Sequence, residues 1–332
     1  MKQRICVVTG SRAEYCLLYW ILHDLRADQD VDLQLVVTGM HLSPEFGHTV
    51  TEIERDGFAI ARRVEMLVSR DTAGGIAKSI GLGVMGMSDA FEQLRPDVVL
   101  LLGDRFEILA AAQACLVHGI PLAHIEGGDT TEGAFDESMR HAITKMAHGH
   151  FVTNELSARR VRQLGEEPQR IHVVGSPGLD HLRRRSLLER NELEQALGAR
   201  LGPRNLLLTF HSVTLEHDHG RSQLDELLAA LDGLPQDIVV WATRPNADTG
   251  GRQIAATLDA WVSRQGPRAH VYTSLGQLRY LSLMALVDAV VGNSSSGLYE
   301  APSLGVPTVD IGNRQAGRLT ADSVVRAAPS RI

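Results

Sequence analysis

The sequence predicts an α/β protein made of two Rossmann-like parallel-sheet domains that face each other across a cleft. Short β-branched runs alternate with helical patterns along the whole chain, which is typical of strands joined by crossover helices. The runs are nearly continuous in apolar residues, as expected for parallel strands covered on both faces. A length of 332 residues also suits two domains. We place the domains at residues 1–178 and 179–332.

Eleven apolar runs define the predicted strands. Six lie in the first domain, at 4–12, 33–39, 98–105, 121–129, 150–154 and 170–178. Five lie in the second domain, at 205–211, 238–246, 269–274, 288–295 and 306–312. Each run ends in polar or glycine residues, and open α/β sheets bind ligands at the carboxyl ends of their strands. We therefore expect ligand-binding residues at these strand ends.

The composition excludes several classes of partner. The chain carries a net charge of −7 with 22% charged residues, so no basic surface for nucleic acid or membrane is expected. No apolar stretch approaches the ~20 residues that cross a bilayer, and the chain starts directly with a predicted strand. Cys6, Cys16 and Cys115 lack metal-site spacing and are expected to be reduced thiols of the core. These features predict a cytoplasmic protein with a small-molecule partner.

One apparent dinucleotide motif is rejected. Gly81, Gly83 and Gly86 spell GxGxxG, with Asp104 about 20 residues further on, as a dinucleotide site requires. The preceding residues have a helical pattern, however, and the strand follows the motif instead of preceding it. We interpret the segment as part of a closely packed or flexible helix.

The segment 290–307 is the strongest candidate for anion binding. An apolar strand runs into a turn and then into a short helical pattern, and the turn comprises Ser294, Ser295, Ser296 and Gly297. Backbone N–H groups that open a helix point outward with the positive end of its dipole, so a phosphate can bind there. Glu300, about one turn later, is placed to accept a ribose diol. The alternative is that the serines only cap the helix.

Carboxylates follow consecutive predicted strands of the first domain. Asp104 and Arg105 leave the third strand, His124 and Glu126 lie at the end of the fourth, and Asp136 starts the next helix. Carboxylates held this close together, among Arg and His, are expected to have perturbed pKa values. We interpret Asp104, Glu126 and Asp136 as functional residues.

Eight blocks of sequence, in order from residue 10 to 318, resemble the hydrolysing UDP-N-acetylglucosamine 2-epimerases. The blocks are GSRAEY (10–15), GDRFE (103–107), HIEGGD (124–129), DESMRHAITKMAH (136–148), VGSPGLD (174–180), RPNAD (244–248), GNSSSGLYEAPSLGVPT (292–308) and RQAGR (314–318). This family includes bacterial enzymes of sialic acid synthesis and the epimerase half of the bifunctional epimerase/ManNAc kinase. The resemblance implies glycosyltransferase-B architecture and a hydrolase that releases UDP and free N-acetylmannosamine (ManNAc) from UDP-N-acetylglucosamine (UDP-GlcNAc).

The same resemblance implies a UDP site built from matching motif positions. These are Arg12 and Arg105 near the pyrophosphate and sugar, His211 at a phosphate, Asn246 in the UDP site, Ser294, Ser295 and Glu300 at phosphate and ribose, and Arg314 as a further UDP contact. Taken singly, Arg12 could be a surface charge, His211 a core histidine and Asn246 a turn former. The first domain would then hold the sugar and the second the nucleotide.

The reaction requires acid–base groups on the sugar. The C2 proton of the sugar is not acidic, so we expect elimination of UDP to give 2-acetamidoglucal, followed by addition of water. We assign the acid–base work to Asp104, Glu126 and Asp136 collectively, with His41 and His124 as proton carriers or hydroxyl ligands. No cofactor or metal is required, and Mg²⁺ is expected, if present, only as a counter-ion of the nucleotide.

Three alternatives stay open at this stage. The substrate could be UDP-N,N′-diacetylbacillosamine or GDP-GlcNAc, in legionaminic instead of sialic acid synthesis. The chain could also be a glycosyltransferase with the same architecture, or an inactive UDP-sugar binding protein. The last alternative arises because relatives continue for several tens of residues beyond the point where this chain ends, which suggests a truncation. We expect a homo-oligomer, either a dimer or a tetramer.

Overall fold

Two separate parallel sheets organise the chain. The computed structural model describes residues 2–68, 72–131, 135–245 and 248–329. The described residues of Met1–Asp129 and Phe135–Asp180 form the N-terminal unit, and those of Thr130–Ala134 and His181–Ile332 form the C-terminal unit. The predicted division at residue 178 did not anticipate that Thr130 and Thr131 group with the C-terminal unit.

The N-terminal unit contains a seven-stranded parallel sheet in the order β3-β2-β1-β4-β5-β6-β7. Its strands are β1 Gln3–Thr9, β2 Val31–Thr38, β3 Ile60–Val64, β4 Val98–Leu102, β5 Leu122–Ile125, β6 Gly149–Val152 and β7 Ile171–Val173. Its helices are α1 Arg12–Ala27, α2 Val50–Arg55, α3 Ala73–Leu94, α4 Phe106–His118, α5 Asp136–Met146 and α6 Glu155–Gln163.

The C-terminal unit contains a six-stranded parallel sheet in the order β10-β9-β8-β11-β12-β13. Its strands are β8 Arg204–Thr209, β9 Ile238–Thr243, β10 Ala269–Tyr272, β11 Ala289–Gly292, β12 Thr308–Ile311 and β13 Val324–Ala327. Its helices are α7 Asp180–Arg184, which starts at the last residue of the N-terminal unit, α8 Arg190–Leu197, α9 Arg221–Asp232, α10 Gly251–Gln265, α11 Gly276–Leu286 and α12 Ser296–Ser303.

Both sheets are covered on both faces, as the apolar strands predict. In β1, Val8 packs into one core cluster while Val7 packs into another on the opposite face. In β8, Leu208 and Leu207 divide between two clusters in the same way. Side chains alternate across a strand, so a strand buried on both faces needs apolar residues at nearly every position. The fold class of two Rossmann-like parallel-sheet domains is confirmed.

All eleven predicted strands are present, and two edge strands were missed. In β3 the side chains of Arg62 and Arg63 are exposed, so its sequence lacks the apolar run that marks the central strands. The strand β13 pairs only with β12 in the sheet order and has two exposed residues among its four. Edge strands with solvated side chains give weak sequence signals.

The GxGxxG segment lies inside α3, which confirms that it is helical. A Cβ added at Gly83 would lie 2.6 Å from the Met66 methyl carbon and 2.9 Å from the Ala110 Cβ. A Cβ added at Gly86 would lie 2.5 Å from a Val64 methyl carbon. These glycines allow α3 to approach α4 and β3 closely, which is a packing role and not a nucleotide-binding one.

The predicted core thiols are found at two of the three cysteine positions. Cys6 and Cys115 are free and buried in one core cluster, whereas Cys16 is only partly buried. Burial raises the pKa of Cys115 to about 12, so its thiol stays protonated. Among the helices in the described ranges, none is long and apolar enough to cross a membrane.

Candidate functional site

Adjacent strand ends bring two of the predicted carboxylates to the same edge of the N-terminal sheet. Leu102, the last residue of β4, pairs with Ile125, the last residue of β5. Asp104 lies two residues after Leu102, and Glu126 lies one residue after Ile125. The carboxyl ends of parallel strands share one edge, so both side chains lie where open α/β sheets bind ligands.

Glu126 has an unusual backbone conformation. Its φ is 63°, in the left-handed region that residues other than glycine seldom adopt. Its Oε1 atom accepts a hydrogen bond from the Ser176 hydroxyl at 3.3 Å, and its backbone N–H donates to the Phe151 carbonyl at 2.9 Å. Strained residues persist where the surroundings or a function demand them. The conformation therefore supports a functional role for this carboxylate.

The third carboxylate, Asp136, is the first residue of α5 and is buried. Its position at the start of a helix is favourable for a negative charge, because the helix dipole is positive there. One turn later Arg140, only 3% exposed, forms an ion pair with Asp104 and donates to the Asp129 carbonyl at 2.8 Å. Arg140 thus ties the turn after β4 to the turn after β5.

Asp129 completes this framework, although sequence reasoning gave it no role. Its carboxylate is 4% exposed and accepts hydrogen bonds from the hydroxyl groups of Thr153, at 2.9 Å, and Ser157. These contacts, together with the bond from Arg140, fix the backbone that follows Glu126. Buried carboxylates satisfied in this way give a rigid, well-defined turn.

Removal of Arg140 is expected to destabilise the unit. In Arg140→Met the Asp104 carboxylate loses its partner in a largely buried site, which should lower the free energy of unfolding by about 3–5 kcal/mol. Urea denaturation measures this loss. Arg159→Met, at an exposed position of α6, is the control and should change stability by no more than about 0.5 kcal/mol. Equal effects of the two variants would contradict the bridging role of Arg140.

The predicted role of His41 and His124 as proton carriers is not supported by their contacts. The ring nitrogens of His41 contact the Thr9 hydroxyl at 3.1 Å and the Thr49 hydroxyl at 2.8 Å. Those of His124 contact the Gly103 carbonyl at 2.7 Å and the Thr144 hydroxyl at 3.1 Å. Both side chains are 0% exposed, and burial lowers the pKa of His41 to about 3 and that of His124 to about 4.

These two histidines are therefore neutral at physiological pH, with both ring nitrogens bonded inside the N-terminal unit. The bond from His124 to the Gly103 carbonyl is the more informative one, because Gly103 directly precedes Asp104. We infer that His124 holds the turn of Asp104, and that His41 joins the ends of β1 and β2.

Arg105, predicted near the pyrophosphate, is buried and has an ionic partner. It is 7% exposed, its Nε lies 3.2 Å from Glu107 Oε2, and its terminal nitrogen contacts the Met40 sulfur at 3.7 Å. Arg12 is the first residue of α1 and is partly exposed. The two arginines thus have different environments. Arg12 is more accessible than Arg105 to a ligand that binds from solution.

In the C-terminal unit, Asn293 joins two adjacent strand ends. Thr209 at the end of β8 pairs with Gly292 at the end of β11. The Asn293 side chain accepts a hydrogen bond from the His211 N–H at 2.7 Å and donates to the His211 carbonyl at 2.9 Å. The predicted phosphate-binding histidine is thereby fixed next to the serine turn. Asn293 was missed from the sequence because its partners lie 82 residues away.

The serine turn belongs to a chain of hydroxyl groups. Ser294 and Ser296 contact each other at 3.0 Å, and Ser296 contacts the Tyr280 hydroxyl at 2.6 Å. Tyr280 in turn contacts Thr209 at 3.3 Å, and Thr209 contacts Thr243 at 2.8 Å. The hydroxyl groups at the ends of β8 and β9 thus support the turn, and Tyr280 is a site residue that sequence reasoning missed.

The first N–H groups of α12 are hydrogen-bonded within the serine turn: Gly297 donates to the Ser294 carbonyl at 3.2 Å and Leu298 to the Ser295 carbonyl at 2.9 Å. Ser295 is the N-cap residue and its side chain makes no capping hydrogen bond, whereas the Ser294 hydroxyl accepts one from the Ser296 N–H at 3.4 Å, so the capping alternative stays open. Gly297 is buried, and a Cβ there would lie 2.7 Å from a Thr308 methyl carbon. Glu300 follows one turn later and is partly exposed, as a ribose ligand must be.

Arg314 lies close to the same turn. It donates to the Asn293 carbonyl at 3.2 Å, and the same carbonyl accepts from the buried Gln315 amide at 2.7 Å. The structure therefore brings together His211, Ser294, Ser296 and Arg314 in the C-terminal unit. Asn246, the remaining predicted ligand, lies outside the described residues.

Truncation of Asn293 is expected to disrupt this arrangement. Asn293→Ala leaves the His211 N–H and carbonyl without their side-chain partner, at about 1–3 kcal/mol for each buried group left unsatisfied. Chemical denaturation should show this loss, and calorimetry should show weaker UDP binding. Asn313→Ala, at an exposed position in the same unit, is the control. Unchanged UDP affinity in Asn293→Ala would contradict the role assigned to this side chain.

Over the ranges that the structure describes, no three or more His, Cys, Asp or Glu side chains are grouped so that they could hold a metal ion.

Two Rossmann-like parallel-sheet units with polar groups at their strand ends define the glycosyltransferase-B class of protein. The family model for UDP-N-acetylglucosamine 2-epimerase matches residues 23–332, and the chain belongs to this family of epimerases. The resemblance read from the sequence blocks is thereby confirmed.

Known relatives cover nearly the whole chain. It is 40% identical to the GDP/UDP-N,N′-diacetylbacillosamine 2-epimerase (hydrolyzing) of Campylobacter jejuni, over 98% of this chain and 84% of the relative. It is 36% identical to the polysialic acid biosynthesis protein P7 of Escherichia coli, over 97% and 82% respectively. The fold is similar to that of Methanocaldococcus jannaschii UDP-GlcNAc 2-epimerase in complex with UDP-GlcNAc and UDP. The TM-score is 0.81 at 18% identity, over 99% of this chain and 90% of that structure.

Proposed function

We propose that the protein is a hydrolysing 2-epimerase that converts UDP-GlcNAc and water to ManNAc and UDP. The observation that carries the proposal is the carboxylate edge of the N-terminal unit, where a strained Glu126 and an Asp104 held by Arg140 follow two paired strand ends. The serine turn of the C-terminal unit supplies the second requirement, a site for the diphosphate of the leaving group.

The chemistry proceeds in two steps. A carboxylate base removes the C2 proton while the C1–O bond breaks, the oxygen of UDP keeps the bonding electrons, and 2-acetamidoglucal forms. Water then adds its oxygen at C1, and a carboxylic acid delivers a proton to C2 from the opposite face to give ManNAc. Asp104, Glu126 and Asp136 provide the acid–base groups, and each cycle ends with one proton returned to the solvent.

The leaving group needs positive charge and N–H donors. In the C-terminal unit these are the positive end of the α12 dipole, together with His211 and Arg314 beside it. Hydroxyl groups of Ser294 and Ser296 add further donors, and the Tyr280 contact orients them. Glu300 accepts the ribose hydroxyl groups.

Product analysis tests the proposal. The chain incubated with UDP-GlcNAc in ²H₂O should yield free UDP and ManNAc with deuterium at C2, as detected by chromatography and NMR. Formation of UDP-ManNAc would indicate the non-hydrolysing reaction instead. Transfer of the sugar to an added acceptor would indicate a glycosyltransferase, and binding without turnover an inactive UDP-sugar binding protein. Any of these three outcomes overturns the proposal.

A second candidate substrate is UDP-N,N′-diacetylbacillosamine. It is favoured by the name of the Campylobacter jejuni relative, which is 40% identical to this chain. The same elimination applies, because both sugars carry the 2-acetamido group on which the chemistry depends. Comparison of kcat/KM for this compound, for its GDP-linked form and for UDP-GlcNAc decides between them. The compound whose kcat/KM exceeds that of the other two by more than about tenfold is the substrate. This factor corresponds to about 1.4 kcal/mol of transition-state binding.

A further inference from the structure

The exposed face of α3 is apolar at its centre. Met85 is 67% exposed and Leu82, one turn earlier, is 45% exposed. Met87 and Phe91 lie on the opposite face of the same helix and pack into the core of the N-terminal unit. Single apolar side chains are common on protein surfaces, whereas a contiguous group of them marks a contact site.

The last turn of α4 extends this apolar region. The Ser88 hydroxyl contacts the His118 ring at 2.8 Å, so the end of α4 lies beside the second half of α3. Leu116 and Val117, directly before His118, are 57% and 85% exposed. Ser88 is one turn from Met85, so the exposed side chains of the two helices adjoin. The α3–α4 surface comprises Leu82, Met85, Leu116 and Val117.

One glycine of α3 has no packing role among the described residues. Gly83 and Gly86 make room for neighbouring side chains, but a Cβ added at the exposed Gly81 would meet nothing within 4 Å. Glycine is, after proline, the least favourable residue in a helix interior. Gly81 lies one turn before Met85, where the absence of a side chain allows the backbone of a second helix to approach closely.

The charges of this face have opposite signs on the two sides of Met85. Lys78 lies seven residues before Met85 and Glu92 seven residues after it, and both are exposed. Seven residues are close to two turns of about 3.6 residues each, so all three side chains share one face. A second α3 packed antiparallel, with a two-fold axis at Met85, places each Lys78 opposite Glu92 of the second copy.

The two helices are also large enough for a stable contact. α3 has 22 residues and is about 33 Å long, with α4 about 10 Å beside it. They present a face of about 30 by 20 Å, similar in scale to the ~800 Å² that each partner buries in an ordinary complex. An apolar centre with charged groups towards its ends is the usual composition of such a contact.

We propose that the α3–α4 surface is a two-fold interface with a second copy of this chain, in which two α3 helices pack antiparallel with Met85 at the axis. A two-fold interface uses the same surface on both copies, so that surface must be complementary to itself. The opposite charges of Lys78 and Glu92 about Met85 meet this requirement. Gly81 allows the helices to approach, and the apolar side chains are removed from water.

The first experiment is sedimentation velocity of the full chain between about 1 and about 100 µM, the range in which a micromolar dimer dissociates. The interface predicts that the wild type associates. Met85→Glu places two carboxylates together at the axis and should raise the dissociation constant at least about 100-fold, which halves the number of chains in the assembly. Circular dichroism checks that the variant is folded.

Val325→Glu is the control for Met85→Glu, because Val325 is 62% exposed on β13 of the C-terminal unit. It should associate like the wild type. A wild type that is monomeric throughout this range would overturn a second copy as the occupant and assign the surface to another partner. Equal association of Met85→Glu and Val325→Glu would overturn the location of the interface.

The second experiment tests the antiparallel register by charge reversal. Lys78→Glu and Glu92→Lys should each raise the dissociation constant about tenfold, because two attractive pairs become repulsive. An equimolar mixture of the two variants should associate like the wild type, since each reversed charge then meets an opposite charge on the other chain. Recovery is also expected in the double variant. Absence of recovery in both cases would overturn the proposed pairing of the helices.

Discussion

Replacement of Glu126 by glutamine is expected to lower kcat by about 10²–10⁴, the usual contribution of a positioned acid–base group. The amide keeps the oxygen that accepts the Ser176 hydroxyl at 3.3 Å, so the fold and KM should change little. Steady-state kinetics with the assigned nucleotide sugar measures the effect, and thermal denaturation measures the fold.

The substitution Glu126→Gly distinguishes the catalytic role of the side chain from the strain in its backbone. The φ of 63° at Glu126 is unfavourable for any residue with a Cβ, by about 1–2 kcal/mol, and glycine removes that penalty. Glu126→Gly should therefore be at least as stable as Glu126→Gln in chemical denaturation, although it is equally inactive. Retained stability together with lost activity is the result expected when a strained residue is kept for its function.

Two results would contradict the role of Glu126. A fall in kcat of less than about tenfold in Glu126→Gln would leave no room for proton transfer by this side chain. A large loss of stability in Glu126→Gly would show that the carboxylate is a structural anchor and not a strained functional group.

The sequence predicts the fold well because the signal for central parallel strands is local. A strand buried on both faces needs a continuous apolar run, and Asp104 and Glu126 follow such runs directly. The same reasoning locates the serine turn after β11. It fails at β3, whose exposed Arg62 and Arg63 give no such run.

The environment of each side chain is less accessible to sequence reasoning. His41, His124 and Arg105 lie in the expected motifs, but whether a polar group faces a ligand or a buried partner depends on residues distant in the chain. Arg105 pairs with Glu107 and also contacts Met40, which is 65 residues away. Tyr280 reaches Thr209 across 71 residues, and no local pattern marks it.

Substitution of Gly292 by alanine is expected to have the largest effect on the nucleotide turn. The φ of Gly292 is 136°, and a Cβ there would lie 2.0 Å from the Thr209 carbonyl oxygen. That oxygen belongs to the backbone of β8, so it cannot move aside without disrupting the sheet. Backbone strain and overpacking together should lower the free energy of unfolding by about 2–5 kcal/mol.

The loss should extend to ligand binding, because Gly292 directly precedes Asn293 and the serines. If β11 shifts away from β8, the Asn293 bonds to His211 at 2.7 and 2.9 Å are broken and the first turn of α12 moves. We expect the UDP dissociation constant to rise at least about tenfold, equivalent to about 1.4 kcal/mol, in isothermal calorimetry. Unfolding of the C-terminal unit can be followed by fluorescence of the buried Trp241 and Trp261.

Gly305 is the matched control for Gly292. Its φ of 73° is also in the left-handed region, but an added Cβ meets nothing within 4 Å. Gly305→Ala should therefore show only the backbone penalty of about 1–2 kcal/mol and unchanged UDP affinity. The difference between the two variants isolates the contact with β8 from the cost of the dihedral angle. If Gly292→Ala bound UDP as tightly as Gly305→Ala, the turn that follows β11 would not be the diphosphate site.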